Sequence, residues 1–260
     1  LGGIILQKYR IGKTGIEVSM LGLGTVKIGR QQGVHYPNAF ELPTDNELNQ
    51  LLGCAFDLEI NLLDTAPAYG TSEERLGRAL RGKRQDWILS TKAGEEFVNG
   101  VSRFDFSPLA IQKSIERSLE RLQTDYLDIV LIHSNGDEHT IVMEENVFET
   151  LERLRDSGKL RAYGMSTKTV AGGMQTIDHA HVAMVTLNPN HTSEREVIEY
   201  AHQKQKSIFI KKAFASGHLP AEDSLRFAIA EPGVTSVIVG TINPEHLKQN
   251  VASILNHDNK

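Results

Sequence analysis

The sequence predicts an α/β protein, a (β/α)8 TIM barrel with an N-terminal β-hairpin closing the barrel bottom. Three observations carry that prediction. Short continuous apolar runs alternate with longer amphipathic segments, the pattern of a parallel sheet covered by helices. The alternation repeats eight times without a break in composition within 260 residues, and single α/β barrels fill about 250 residues. Ahead of the first unit, Gly12-Lys13-Thr14-Gly15 separates Tyr9-Arg10-Ile11 from Glu17-Val18, which reads as a hairpin. An open doubly wound sheet is the rival architecture. One domain is expected over 1–260, with no internal repeat or linker.

The elements follow in order. Met20 to Gly24 is the first short apolar run. Thr44 to Phe56 reads as a helix, with Thr44 and Glu47 at capping-box spacing and Leu48, Leu51, Leu52 and Ala55 on one face. Ile60 to Leu63 is the second strand, and Ser72 to Leu80 a helix that Ser72 can cap. Trp87 to Ser90 is the third strand, and the helix from Ser107 to Leu122 carries Pro108 at its first position, where a missing N–H costs nothing. Leu127 to Ile132 is a buried-type strand, followed by a helix from Glu144 to Arg155. Arg161 to Met165, His181 to Leu187, Ser207 to Ile210 and Val234 to Val239 are the remaining strands. Helices over Thr169–His179, Ser193–Gln203, Ala221–Ala230 and Pro244–Leu255 follow them.

Charge and cysteine content narrow the function classes. Lys plus Arg number 28 and Asp plus Glu 33, a net charge of −5. Such a chain has no global field to attract nucleic acid or an anionic membrane, so an anion must be held by a local site. No apolar stretch reaches the roughly 18 residues that span a bilayer. Cys54 is the single cysteine, which rules out an intramolecular disulfide and fits a reducing cytoplasm. Leu1 to Ile5 lack Met and a basic region, and read as a trimmed start rather than a signal peptide.

In a barrel of this kind, chemistry collects at the C-terminal strand ends. Asp64 and Tyr69 follow the second strand, Lys92 the third and His133 the fourth. Taken singly each has a plain structural reading: a helix cap, a turn, a solvated lysine, a packed histidine. At successive strand ends the four together suit the reduction of a carbonyl by a hydride donor, or the reverse. A buried ammonium beside a phenol lowers the phenol's pKa, and a carboxylate keeps that ammonium charged. A histidine can hydrogen-bond the carbonyl oxygen that the phenol protonates. The histidines His179, His181 and His191 lack zinc spacing with acidic or Cys partners, so no metal is expected. Gly22-Leu23-Gly24 fails the Rossmann fingerprint at Lys27, and there is no Walker A sequence.

Several motifs carry a family resemblance. They are Arg10 to Ser19 running into Leu21-Gly22-Leu23-Gly24-Thr25, Leu63-Asp64-Thr65-Ala66-Pro67-Ala68-Tyr69-Gly70, Glu74-Arg75-Leu76-Gly77, Leu89-Ser90-Thr91-Lys92, and Ser118 to Asp128 ending at Leu131-Ile132-His133. Over nearly its whole length the chain resembles an aldo-keto reductase, a short and divergent one. The resemblance implies an NAD(P)H-dependent oxidoreductase that reduces an aldehyde or ketone to an alcohol, or runs the reverse. Tyr69 would be the general acid, Lys92 and Asp64 would tune it, and His133 would orient the carbonyl. The expected partner is a small-molecule carbonyl or alcohol.

The implied cofactor contacts are more altered. They fall on Gly24 and Thr25 after the first strand, Ser166 and Thr167 after the fifth, and Thr186 at the end of the sixth. Lys211 and Lys212 follow the seventh strand, with Ser216, Gly217 and Leu219 in the turn beyond. Gly240 and Thr241 follow the eighth, and Gln249 and Asn250 lie on the last helix. The family commonly has Ser-Asn where this chain has Ser166-Thr167, Gln at Thr186, an aromatic residue at Lys211 or Lys212, and a basic residue at Ile242 or Asn243. NADPH is the expected cofactor, with NADH as the second choice. The alternative is a dinucleotide-binding sensor or regulatory subunit with little turnover, and a third option is a non-redox isomerase or lyase. The connection from Ala213 to Pro220 leaves no room for a long cofactor-covering loop, so an open mouth with fast cofactor exchange is expected.

Overall fold

The computed structural model describes residues 6–255; the trimmed start expected at 1–5 and the last five residues lie outside them. A short antiparallel hairpin comes first. Strand β1 (Lys8–Arg10) pairs with β2 (Glu17–Ser19) in the register Lys8↔Ser19, Tyr9↔Val18, Arg10↔Glu17. Ile11, Ile16 and Val18 of this hairpin are fully buried, in one cluster with Leu62, Ile129, Leu131, Ala162, Val182, Met184 and Phe209. Those partners project from the barrel strands, so the hairpin plugs the barrel interior from below, as expected.

The barrel itself has eight parallel strands. They are β3 (Leu21–Gly24), β4 (Leu62–Asp64), β5 (Ile88–Ala93), β8 (Leu127–His133), β9 (Leu160–Ser166), β10 (Val182–Thr186), β11 (Ser207–Lys211) and β12 (Val234–Gly240). Between β5 and β8 an outlying antiparallel pair intervenes, β6 (Glu95–Val98) and β7 (Val101–Phe104). The ring closes where β12 meets β3, from Val237↔Leu21 to Gly240↔Gly24. The barrel strands are almost wholly buried, which is why they read as continuous apolar runs rather than as alternating ones.

Helices cover the outside. They are α1 (Val26–Gly29), α2 (Asp45–Asp57), α3 (Ser72–Ala79), α4 (Pro108–Leu122), α5 (Glu138–Met143), α6 (Val147–Asp156), α7 (Val170–His179), α8 (Arg195–Gln203), α9 (Ala221–Ile229) and α10 (Pro244–Leu255). The expected capping box is present at α2: Thr44 Oγ1 accepts from Glu47 N, and Glu47 Oε2 accepts from Thr44 N at 2.7 Å. Leu48, Leu51, Leu52 and Ala55 are its buried face. No helix among the described residues is long and apolar enough to cross a membrane.

Two local expectations are corrected, and two further features stand beside them. Ser72 does not cap α3; its hydroxyl accepts from Thr65 Oγ1 at 3.0 Å and donates to Thr25 Oγ1 at 2.8 Å, in a buried hydroxyl chain. The helix expected from Glu144 begins at Val147, because Asn146 adopts a left-handed conformation (φ 49°) and breaks it from α5. The segment after Lys92 is a hairpin, turned by Asn99 and Gly100, both at positive φ (53° and 80°). Cys54 is half-buried, with Sγ 3.8 Å from Pro244 O.

Candidate active site

The C-terminal ends of the strands surround a cavity of about 580 Å³. Asp64 ends β4, Lys92 lies near the end of β5, and His133 ends β8, so three neighbouring strands deliver three of the four expected groups. Tyr69 arrives on the turn between β4 and α3. Its N–H donates to Ala66 O at 3.0 Å and its carbonyl accepts from Ser72 N at 3.2 Å. Gly70 makes that turn possible: its φ is +61°, and a Cβ there would lie 2.2 Å from Gly29 O.

Lys92 is fully buried and its ammonium is fully engaged. Nζ donates to Asp64 Oδ2 at 2.7 Å, Asp64 Oδ1 at 2.8 Å and Thr65 O at 3.0 Å. Ser90 Oγ adds a bond to Asp64 Oδ1 at 3.0 Å. Lys92 Nζ stands 5.2 Å from the Tyr69 ring centroid, and the Tyr69 and His133 rings meet edge to face at 6.2 Å. The four residues therefore share one wall of the cavity.

The charge balance at Tyr69 differs from the expected one. Burial pushes the phenol well above its ordinary range, Asp64 and Glu95 push it the same way, and Arg30 opposes them. Because Asp64 neutralises Lys92 at contact distance, the ammonium does not draw Tyr69 down. Tyr69 keeps its proton firmly.

Glu95 is a site residue that the sequence reading passed over. It opens β6, and its Oε2 lies 2.6 Å from His133 Nδ1 while its Oε1 accepts from Ser102 Oγ at 2.6 Å. Burial pushes Glu95 up, but His133, Ser102 and Arg30 outweigh it and bring the carboxyl to about 2. Arg30 itself packs its guanidinium 3.4 Å from the Phe97 ring centroid and donates to Ala68 O at 2.9 Å. The signal for this hairpin was available: Asn99-Gly100 between Val98 and Val101 is a strong two-residue turn sequence.

Of the expected cofactor residues, Gly24, Ser166, Thr167, Thr186, Lys211, Lys212, Ser216, Gly217 and Gly240 line the cavity. Thr25, Leu219, Thr241, Gln249 and Asn250 are not among its lining. Thr25 is fully buried and spends its hydroxyl on Asp64 O at 2.9 Å, a structural bond. Lys211 Nζ donates to Ser166 Oγ at 2.9 Å and Thr167 O at 2.5 Å. Burial lowers Lys211 to about 7; Glu194 opposes the fall, and Lys212, Lys92 and Lys168 add to it. Glu194, also missed, is 2% exposed. It accepts from Thr186 N at 2.9 Å and Thr167 Oγ1 at 3.3 Å. At the start of α10, Asn243 Oδ1 accepts from Glu245 N at 2.9 Å, so a side chain caps that helix.

The comparisons with known proteins agree with this geometry. The model of the Aldo/keto reductase family matches residues 20–224. The chain belongs to the aldo/keto reductase family. A solved structure from Pseudomonas aeruginosa assigned to the aldo-keto reductases is 49% identical, with a TM-score of 0.89 over 96% of this chain and 95% of that one. The aldo-keto reductase YhdN of Bacillus subtilis is 33% identical over 82% of this chain and 64% of its own. The L-galactose dehydrogenase of Arabidopsis thaliana is 27% identical over 96% of this chain and 88% of its own. The family's closed eight-stranded barrel is the fold described above, and the chain is an oxidoreductase of that family.

Proposed function

We propose that this aldo-keto reductase is an NAD(P)H-dependent carbonyl reductase acting on a small aldehyde or ketone in the cytoplasm, with Tyr69 as its general acid. The observation that carries the reading is the wall formed by Tyr69, His133 and the Lys92–Asp64 pair, with Lys92 Nζ 5.2 Å from the phenol ring.

A dinucleotide fits the mouth by charge. Lys27, Lys168, Lys211 and Lys212 line the cavity in a chain whose net charge is −5. Lys27 Nζ lies over the aromatic rings of Tyr36 and Phe40, at 4.0 and 5.2 Å from their centroids. Lys212, Ala215, Ser216 and Gly217 adopt positive φ in the turn after β11, and Ala215 N and Gly217 N close that turn onto Lys212 O and Phe214 O, each at 2.8 Å. Lys27 and Lys212 would meet the phosphates, and Ser166, Thr167, Thr186 and Lys211 would meet the nicotinamide end. When bound, the reduced cofactor supplies hydride to the carbonyl carbon.

The chain's own groups then handle the oxygen. Hydride arrival converts the carbonyl oxygen into an alkoxide, which is more basic than a phenolate, so Tyr69 delivers its proton downhill despite its high pKa. The phenolate left behind lies beside the Lys92–Asp64 ion pair, with Lys92 Nζ 5.2 Å from the ring centroid. His133 contributes a second polar contact to the same oxygen. NADPH is proposed as the preferred cofactor, because Lys27, Lys168 and Lys212 of the mouth have no carboxylate partner among the described residues and could meet additional phosphate charge.

The test pairs binding with turnover. Tyr69→Phe is expected to bind NADPH as the parent does, measured by fluorescence titration. It is expected to lose about 10²–10⁴-fold in aldehyde reduction. Parent-rate reduction by this variant would remove the role given to Tyr69. Tight NADPH binding by the parent with no turnover across a broad carbonyl panel would instead make the protein a dinucleotide sensor.

A further inference from the structure

Arg30 lines the cavity, and the reduction steps make no use of it. It follows α1, and its guanidinium is held from three sides. Nε donates to Gln32 O at 2.7 Å, Nη1 to Ala68 O at 2.9 Å and Nη2 to Gly33 O at 3.2 Å. The Phe97 ring centroid lies 3.4 Å from its central carbon. Gly33 permits this close approach: its φ is +63°, and a Cβ there would stand 2.9 Å from Arg30 Nη2 and 3.3 Å from Phe97 Cζ. A long side chain already fixed in this way loses little further freedom when a ligand arrives.

The clamp does not exhaust the guanidinium. It has five N–H groups, and three bonds leave one hydrogen on each Nη. The three acceptors are neutral carbonyls, so the positive charge is not cancelled. No carboxylate among the described residues forms an ion pair with Arg30. Glu95 acts on it only from beyond that distance, and its own oxygens face His133 and Ser102. Among the described residues the carboxylates that line the cavity are Asp64 and Glu194. Lys92 occupies the first, while Thr186 N and Thr167 Oγ1 occupy the second.

The position of Arg30 separates it from the lysines read as phosphate partners. Ala68, which accepts from Nη1, is bonded directly to Tyr69. Phe97 lies two residues along β6 from Glu95, which meets His133 at 2.6 Å. Arg30 therefore belongs to the wall of Tyr69 and His133, away from the turn after β11 that holds Lys212. We propose that Arg30 is a specificity-determining residue that selects carbonyl substrates bearing a carboxylate. The inference rests on the reading of the cavity as a carbonyl-reducing site. Two free hydrogens and one uncompensated charge match the two oxygens and single charge of a carboxylate. The reacting carbonyl then lies at Tyr69, with the acid group anchored beside it.

The experiment compares each acid with its own methyl ester, which keeps the carbonyl and removes the charge. The pairs are 2-oxobutanoate and 4-oxobutanoate with their esters, reduced with NADPH. The parent is expected to favour the acid in kcat/KM at one or both chain lengths, by about tenfold or more. This comparison needs no variant. In Arg30→Met the acid-to-ester ratio is expected to fall about ten- to a hundredfold, and Arg30→Lys should keep part of it. Arg30 also acts on Tyr69, so a fall shared by acid and ester is expected in the variants and cancels in the ratio. A parent that favours the ester at both lengths, or a ratio unmoved in Arg30→Met, would overturn the proposal. An NADPH Kd raised as far as the acid's KM would do the same, by giving Arg30 to the cofactor. A readout without turnover accompanies these rates: binding of butanoate against butanamide by ligand-observed NMR, in the parent and in Arg30→Met. An inactive protein that binds butanoate through Arg30 would refute the reductase reading and leave the carboxylate site standing. An active protein indifferent to charge would refute the carboxylate site alone.

Discussion

Lys92 Nζ contacts both carboxylate oxygens of Asp64, at 2.7 and 2.8 Å, and both side chains are nearly closed to solvent. A pair enclosed to this degree is held by mutual neutralisation. Removing one partner strands a buried charge and costs about 3–5 kcal/mol. Lys92→Met and Asp64→Asn should each lower stability by about that amount in urea unfolding. The double variant should lose clearly less than the sum, since neither charge is then stranded. Turnover should be lost in all three. Additive losses in the double variant would show that the two groups are not a coupled pair.

Asp128 belongs to the same motif stretch as His133 but does different work. It is the second residue of β8, at the barrel bottom, and its carboxylate meets Arg84 Nη2 at 2.7 Å, Arg161 Nη1 at 2.6 Å and Leu89 N at 3.0 Å. Asp128→Ala leaves two arginines without their shared acceptor and a buried N–H unpaired. It should cost about 3–5 kcal/mol. NADPH affinity, measured below the unfolding transition, should stay at the parent value because the site lies at the other end of the strand. A loss of affinity without a loss of stability would move Asp128 into the functional class.

The parts that were legible in the sequence are those whose cause is local or periodic. Thr44 and Glu47 announce their cap within four residues, and the buried strands announce themselves as apolar runs. Asp64, Lys92 and His133 could be placed because each stands at or near the end of such a run. Glu95 could not be placed that way. Its role depends on a hairpin that folds back across the mouth, and on a contact with a residue 38 positions away (133 − 95 = 38). Ser72 misled for the same reason: a serine at a helix start fits a cap, but a buried hydroxyl chain with Thr25 and Thr65 claims it. The pKa of Tyr69 was misjudged because spacing shows that Lys92 is near but not that Asp64 has already neutralised it.

Gly94 joins β5 to the hairpin that carries Glu95. Its φ is +97°, and a Cβ there would meet Phe106 Cε1 at 2.6 Å. Gly94→Ala combines a strained backbone with a buried clash, so a loss of about 1–3 kcal/mol is expected. The hairpin should shift with it. Aldehyde reduction should then fall while NADPH binding persists, because the cofactor-facing residues lie on other strands. Parent-level stability in urea would show that the hairpin tolerates the extra methyl by moving as a unit.

Lys211 provides a prediction whose sign is fixed by linkage. Burial brings its folded-state value to about 7 from an ordinary 10.5. Between those two values the unfolded chain binds the extra proton, so this group makes stability rise with pH over that window. Below about 7 the folded protein carries a desolvated ammonium at the cavity wall, and the full penalty applies. Lys211→Met removes that penalty. It also removes the donor to Thr167 O, at a cost of about 1 kcal/mol. The variant should therefore be more stable than the parent at pH 6.5, by about 2 kcal/mol after allowance for water at the mouth. The advantage should shrink steadily and vanish near pH 10. Urea midpoints measured at both pH values decide it, and a constant difference between parent and variant would mean that Lys211 stays charged in the folded protein throughout.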